Sequence, residues 1–359
     1  MNVTRRSFIG TLLAAGTGLL AYSFGSRWLR SDVATSLEPI RSALGPTRPA
    51  YASAEEQGVL KERIDRAYAA LEHCELCPHQ CGVNRSRGEK GFCNAGSQAV
   101  VYSHSAHYGE ERPLVGAGGS GTIFFSHCNL RCVFCQNWPI AHEGRGSTVS
   151  DEELADMMLS LQSRGCHNIN LVTPTHMMPH ILGATRIALK KGLQLPLCYN
   201  TGGYERVEMV RLLDGIVDIY LPDLKFMDGE ESARYALRGV PDYPRHAQES
   251  IQEMHRQVGD LQTTSNGVAL RGLMVRHLVM PNRIAGTKEF VEWVAENLSP
   301  DTYVNIMSQY RVAFQAFDYE PIARAITNQE FVEAMEWAIA AGLTNLDARS
   351  LSQFNLFRN

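Results

Sequence analysis

The sequence predicts an α/β fold: a parallel sheet curled toward an open barrel of about six strand–helix units, preceded by a cysteine-rich metal-binding segment. Three observations carry this. From Gly119 onward, short apolar runs alternate with amphipathic stretches of helical period, and repeated strand–helix alternation is the pattern of a parallel sheet. Crossovers between parallel strands are right-handed almost without exception, which winds such a sheet in one direction. The polar residues gather at the ends of the apolar runs, as in barrels whose working residues sit at the carboxyl ends of the strands.

The first strand of the series is read over 122–126 and runs into Cys128, Cys132 and Cys135. Ser150 and Glu153 form a capping box for a helix carrying Leu154, Met157, Met158 and Leu161 at helical spacing, closed by Gly165. A strand over 168–172 leads to Thr173-Pro174-Thr175-His176 and a helix over 177–191. The next strand, 195–199, leads to Asn200-Thr201-Gly202-Gly203 and a helix over 204–213. A strand over 216–221 leads to Pro222-Asp223-Leu224-Lys225, and a helical stretch over 230–261 is broken at Pro241 and Pro244. The fifth strand, 273–280, carries Arg276 and His277 and precedes a helix over 288–297. The sixth, 302–307, brings Asn305 and Gln309 and precedes a helix over 329–341.

Ahead of this body, Thr4-Arg5-Arg6-Ser7-Phe8-Ile9 and the glycine-broken apolar run 8–24 read as a twin-arginine export signal. The run is short for a membrane span. Such signals address folded, cofactor-loaded proteins, so any metal is inserted before export. Residues 1–30 are therefore assigned to the signal and 31–53 to a proline-containing linker with a helix read over 54–72. The cysteine-rich segment covers 54–118, the barrel 119–346 and a tail 347–359. The chain is expected in the periplasm or anchored at the membrane by that signal alone, and in the cytoplasm where the signal is not used.

Nine cysteines fall mostly into two tight groups, which points to metal ligation, since disulfide frameworks are short chains with spread cysteines. Cys128, Cys132 and Cys135 have C-x3-C-x2-C spacing, and clusters of four irons usually take four thiolates. Three leave one iron without a protein ligand, and an open position separates reactive metal sites from closed ones. Cys74, Cys77, Cys81 and Cys93, with turns supplied by Pro78, Gly82, Gly88 and Gly91, suit a second iron–sulfur cluster, a tetrahedral zinc, or disulfides formed after export. Cys166 and Cys198 read as small buried apolar groups. A formal charge of −4 gives no footprint for nucleic acid.

The run Cys128-Asn129-Leu130-Arg131-Cys132-Val133-Phe134-Cys135 resembles the C-x3-C-x-aromatic-C motif of the radical S-adenosylmethionine (SAM) enzymes. The flanks Gly121-Thr122-Ile123-Phe124-Phe125 and Cys135-Gln136-Asn137 resemble the branch related to pyruvate formate-lyase activating enzymes, and within it the PflX-like group. The resemblance spans roughly residues 74–346 and departs at His127, where relatives carry glycine. It implies a partial (β/α)6 TIM-like barrel and a [4Fe–4S] cluster on the three cysteines. It further implies reductive cleavage of SAM to a 5′-deoxyadenosyl radical that removes hydrogen from a substrate, as in activation of a glycyl radical enzyme. A protein substrate and a reductant such as a flavodoxin or ferredoxin follow as partners.

For SAM itself the resemblance implies the Phe134 backbone beside the adenine. It implies Thr173 and Thr175 at the place of a glycine-glycine-acid motif, which this chain lacks. Asn200 and Thr201 fall at a third-strand signature, and Asp223 and Lys225 in a D-L-K motif. Arg276 or His277 meets the SAM carboxylate, and only one of two neighbours in a strand faces the interior. His176 is expected as a hydrogen-bonded loop histidine. Two other classes fit the same cysteines: an exported iron–sulfur electron-transfer protein without SAM chemistry, and a zinc-stabilised binding module.

Overall fold

Parallel strands separated by helices dominate the computed structural model, which describes residues 48–236 and 239–358. The proposed export signal and most of the linker read over 31–53 lie outside the described residues. Nine strands form one sheet among the described residues: β1 (Ala99–His107), β2 (Ser120–Phe125), β3 (Ser147–Val149), β4 (Ile169–Val172), β5 (Leu197–Thr201), β6 (Ile219–Pro222), β7 (Gln262–Thr263), β8 (Ala269–Leu278) and β9 (Tyr303–Met307). Their order is β3-β1-β2-β4-β5-β6-β8-β7, with β9 pairing β8.

Six of these strands, β2, β4, β5, β6, β8 and β9, run parallel in sequence order, with Gly121 beside Ile169, Ile169 beside Leu197, Cys198 beside Ile219, Ile219 beside Gly272, and Met274 beside Tyr303. Helices follow them at Asp151–Ser163, Met178–Lys190, Val207–Val210, Gly229–Tyr235 with Tyr243–Val258, Thr287–Asn297 and Asn328–Ala340. This is the expected partial (β/α)6 barrel. It stays open because β2 takes an antiparallel partner, β1, on its free edge, with His104 opposite Ile123.

Alternation along the strands sorts the side chains into two layers. Cys198, Ile219, Leu221, Met274 and Tyr303 pack together inside the curl, with Leu114 from the segment before β2. Ile123, Leu171, Tyr199, Tyr220 and Val275 point the other way and join the larger core under the helices. Cys166 and Cys198 are buried, as expected.

The local signals behave as their chemistry predicts. Ser150 Oγ accepts from the Glu153 amide at 3.2 Å and Glu153 Oε2 accepts from the Ser150 amide at 2.8 Å, the complete capping box. The helix read over 54–72 is instead two, Ala50–Glu56 and Val59–Ala69, because Gly58 between them adopts φ +74°. The first begins inside the stretch read as linker, where extended Pro49 hands its carbonyl to the Ala52 amide at 3.1 Å.

Two regions depart further from expectation. β5 runs on through Asn200 and Thr201, which pair with Leu221 and Pro222 in the ladder and are not a turn. The following helix is short because the chain first dips inward to bury Glu205, entirely shielded from solvent, before turning helical at Val207. The C-terminal tail forms a helix, Ala348–Arg358, opened by the Asp347 carboxylate, which accepts from the Arg349 and Ser350 amides at 2.8 and 3.2 Å. Ser350 Oγ ties it to β9 through the Ile306 carbonyl at 2.8 Å. Among the described residues no helix is long and apolar enough to cross a membrane.

Gly203 closes the β5 end with φ +84°, and a Cβ there would sit 2.3 Å from the Asp223 carbonyl oxygen. Gly203→Ala is therefore expected to cost on the order of 2–4 kcal/mol in urea unfolding, since both the conformation and the close approach are lost. A variant as stable as the parent would refute the claimed packing of these two strand ends.

Candidate functional site

The three-cysteine loop begins where β2 ends. The Ser126 amide donates to the Val100 carbonyl at 2.9 Å, and the chain then reverses through His127 at φ +72° and Arg131 at φ +52°. His127 occupies a left-handed position that favours glycine. Room for its ring comes from Gly144, where a Cβ would lie 2.1 Å from His127 Cε1. Further along, the Val133 amide donates to the Tyr235 carbonyl at 2.9 Å, and the Phe134 ring is buried at 5.9 Å from Phe226 and 6.2 Å from Tyr310. The loop is thus anchored between its last two cysteines.

Cys132 is buried, Cys128 and Cys135 are half-buried, and all three are free thiols. Burial, together with the neighbouring Cys128, pushes the Cys135 thiol up to about 12. Cys132 is raised in the same way, against the pull of the Lys225 ammonium. Such thiols surrender their protons to a metal and not to water. Among the described residues no three His, Cys, Asp or Glu side chains stand around one point as ligands of a single ion. A cluster spreads its thiolates over separate irons, so the all-sulfur donor set fits that group.

Beside the loop lies a cavity of about 580 Å³, within the range of small-molecule sites. It is lined by Phe124 of β2, Val172 of β4, Asn200 of β5, Arg276 of β8 and Asn305 of β9, with Gln136 following Cys135. Every one of those strand residues points into the curl near its carboxyl end.

Arg276 joins these strands. Its Nε donates to Asp223 Oδ1 at 2.8 Å and its Nη2 to Asn200 Oδ1 at 2.7 Å, while Nη1 lies 3.5 Å from Glu110 Oε2. Asp223 Oδ2 accepts from Lys225 Nζ. Burial opposes ionisation of Asp223, yet Arg276 and Lys225 outweigh it and hold the carboxyl below its ordinary value. Burial likewise opposes the charge on Lys225, and Asp223 with Cys132 reverses the balance upward. Glu110 is different: burial pushes it up to about 7, Arg276 opposes, and adjacent Glu111 adds to the rise. Glu111 accepts from Asn305 Nδ2 at 2.8 Å.

The structure therefore gathers Asn200, Asp223, Lys225 and Arg276 beside Cys132 and Cys135, and turns other expected residues away. His277 faces the helix layer, where its Nδ1 lies 2.6 Å from the Leu224 carbonyl and its Nε2 3.0 Å from Thr287 Oγ1, with its ring stacked on Phe290. Burial lowers it to about 4. Strand alternation thus turns Arg276, and not His277, into the cavity. Thr175 and Thr201 also face that layer, and both hydroxyls donate to the carboxylate of buried Glu205. Thr173, at φ +60°, donates its amide to the Asn200 carbonyl and does not line the cavity. His176 is a buried histidine hydrogen-bonded to the Ser126 carbonyl at 2.7 Å, lowered to about 3 by burial. Cys74, Cys77, Cys81 and Cys93 form a second group that reaches the loop through His79, whose Nε2 lies 2.8 Å from the Asn129 carbonyl. Glu110 and Glu111 had no signal in the sequence beyond two acids ahead of a proline.

Fold and site together define a cysteine-rich partial barrel with its cavity at the strand ends. Residues 122–280 match the family model of the Radical SAM superfamily. The uncharacterized protein MJ0674 of Methanocaldococcus jannaschii is 32% identical over 290 residues, 78% of each chain. The chain belongs to the radical SAM superfamily, and membership brings a [4Fe–4S] cluster and SAM as its cofactors. Similar solved structures include native anSMEcpe with bound AdoMet (12% identity, TM-score 0.41, 60% of this chain and 57% of that one). A radical SAM methyltransferase from Sphaerobacter thermophilus gives 16% identity and a TM-score of 0.43, over 62% of this chain and 64% of that one. Methylornithine synthase gives 13% and 0.39, over 86% and 84%. The chain spans less than two thirds of the first two.

Glu205 makes a test of the layer beneath the site. Burial lifts its carboxyl from 4.5 to about 7, only partly offset by the hydroxyls of Thr175 and Thr201. Between about pH 4.5 and 7 the folded chain keeps a proton that the unfolded chain releases, so this group's contribution falls as pH rises through that window. Glu205→Gln should remove that loss, on the order of 1–3 kcal/mol, in urea unfolding followed against pH. An identical pH dependence in parent and variant would show Glu205 to be ordinary.

Proposed function

We propose that Cys128, Cys132 and Cys135 ligate the [4Fe–4S] cluster, leaving one iron for SAM, and that the adjoining cavity holds SAM and the substrate carbon that loses hydrogen. The observation that supports this best is the juxtaposition of the three-cysteine loop, with its buried Cys132, and the Lys225–Asp223–Arg276–Asn200 chain at the strand ends. When bound, the reduced cluster supplies the electron that cleaves SAM.

The residues of the chain have separate parts. Lys225, held by Asp223 and close to Cys132, offsets negative charge gathered on the thiolates. Arg276 is oriented by Asp223 and Asn200, while its Nη1 stands at 3.5 and 4.0 Å from Glu110 and Glu111, beyond good hydrogen bonds. That edge of the guanidinium is the donor with capacity for the carboxylate of SAM. Phe124 and Val172 give the cavity an apolar wall that limits water beside a reactive carbon.

We read the branch as PflX-like, related to pyruvate formate-lyase activating enzymes, on the wording of residues 121–125 and 135–137. On that reading the hydrogen comes from a protein glycine and the electron from a flavodoxin or ferredoxin. The segment 4–9 supports twin-arginine export or anchoring, with residues 54–118 and 119–346 as the cysteine-rich and barrel parts.

Anaerobic incubation with dithionite and SAM should yield 5′-deoxyadenosine and methionine. Cys132→Ala should yield neither, and product from that variant would overturn the ligand assignment. Arg276→Lys should raise the KM for SAM about tenfold or more, since lysine cannot reproduce the fork that meets a carboxylate. An unchanged KM would remove Arg276 from SAM recognition.

A further inference from the structure

Arg85 lies outside the cavity and is fully buried. Its Nε donates to the Gly96 carbonyl at 3.0 Å and its Nη1 to the His176 carbonyl at 2.8 Å, both neutral acceptors. Its Nη2 has no hydrogen-bond partner among the described residues. A buried cation with no opposite charge costs several kcal/mol, far more than two carbonyls return. The cost calls for an anion nearby.

The four N-terminal cysteines are placed to provide it. Cys93 is buried, and Arg85 is its electrostatic neighbour. Cys77 interacts electrostatically with Cys93, Cys74 and Cys81, so the four sulfurs are neighbours. All four are free thiols. The backbone is built around sulfur: the Cys74 amide donates to the Val83 carbonyl at 2.9 Å and the Gly82 amide to the Cys74 carbonyl at 3.0 Å, closing a tight knuckle. The Phe92 amide points at Cys81 Sγ from 3.3 Å, a donor that favours the thiolate. Gly91 packs so closely on Cys81 that a Cβ there would lie 2.7 Å from the sulfur.

We propose that Cys74, Cys77, Cys81 and Cys93 hold a second iron–sulfur cluster through four thiolates, and that Arg85 is its buried counter-cation. A [4Fe–4S] core inside four thiolates leaves about two negative charges, so one arginine offsets part of them, and a cluster, unlike a single ion, spreads its thiolates over separate irons. The centre abuts the three-cysteine loop: His79, between Cys77 and Cys81, stacks on Phe92 at 3.8 Å and bonds the Asn129 carbonyl, and Arg131 Nη1 reaches the Phe92 carbonyl at 3.4 Å. Metal at the four-thiolate site therefore also fixes the wall against which the Cys128–Cys135 loop is folded.

The test counts iron and zinc per chain in anaerobically purified full-length protein and two variants. With Cys128, Cys132 and Cys135 all changed to Ser, the chain should retain about four irons and the visible absorption of a cluster. Changing Cys74, Cys77, Cys81 and Cys93 to Ser should remove that quota. A folded triple variant holding no iron, or one zinc in its place, or mass spectrometry showing disulfides among the four cysteines, would overturn the second cluster while leaving the SAM reading intact. Arg85→Met should lose the retained metal to a chelator at least tenfold faster, with Arg85→Lys close to the parent. Equal loss from parent and Arg85→Met would overturn the counter-cation assignment.

Discussion

The ion pair between Asp223 and Arg276 is the interaction on which the site depends. The two residues are bridged twice, by side chains at 2.8 Å and by the Leu224 amide to the Arg276 carbonyl at 2.9 Å, extending the β6–β8 pairing past the end of β6. Arg276 then reaches Asn200 on β5, and its electrostatic partners Glu110 and Glu111 come from the segment following β1. Removing one partner of a buried pair leaves the other charge uncompensated, at a cost of about 3–5 kcal/mol. Four separate parts of the sequence are thereby held around one guanidinium.

This arrangement gives the cavity a polar side and joins it to the neighbouring cysteine loop. Lys225 carries the pair's influence to the Cys132 thiol, so the cation that steadies Asp223 also lowers the cost of a thiolate nearby. Glu110 and Glu111 face the far side, with Glu111 tied through Asn305 and Ser350 to the C-terminal helix. The tail thereby completes the wall, since Arg349, Ser350 and Gln353 line the same cavity.

The architecture was legible because its signals are local. Apolar runs, the Ser150 capping box and the cysteine spacing each declare themselves within a few residues. The parallel order follows from alternation and handedness. What escaped depends on distant partners. Asn200 and Thr201 look like a turn before Gly202-Gly203, yet the ladder with β6 extends them. Thr175 and Thr201 look like ligand hydroxyls until Glu205 is seen folded beneath them. Which of Arg276 and His277 faces inward is a matter of register that composition does not encode. The β1–β3 edge was missed because few of its side chains are fully buried and they mix polar with apolar residues.

The most direct measurement is the electron paramagnetic resonance spectrum of the reduced, anaerobically reconstituted chain with and without SAM. An iron left open beside Arg276 predicts a reduced-cluster signal whose g values move when SAM is added, and which still moves when the four N-terminal cysteines are replaced. A signal indifferent to SAM, or one that survives loss of Cys128, Cys132 and Cys135 unchanged, would contradict the account.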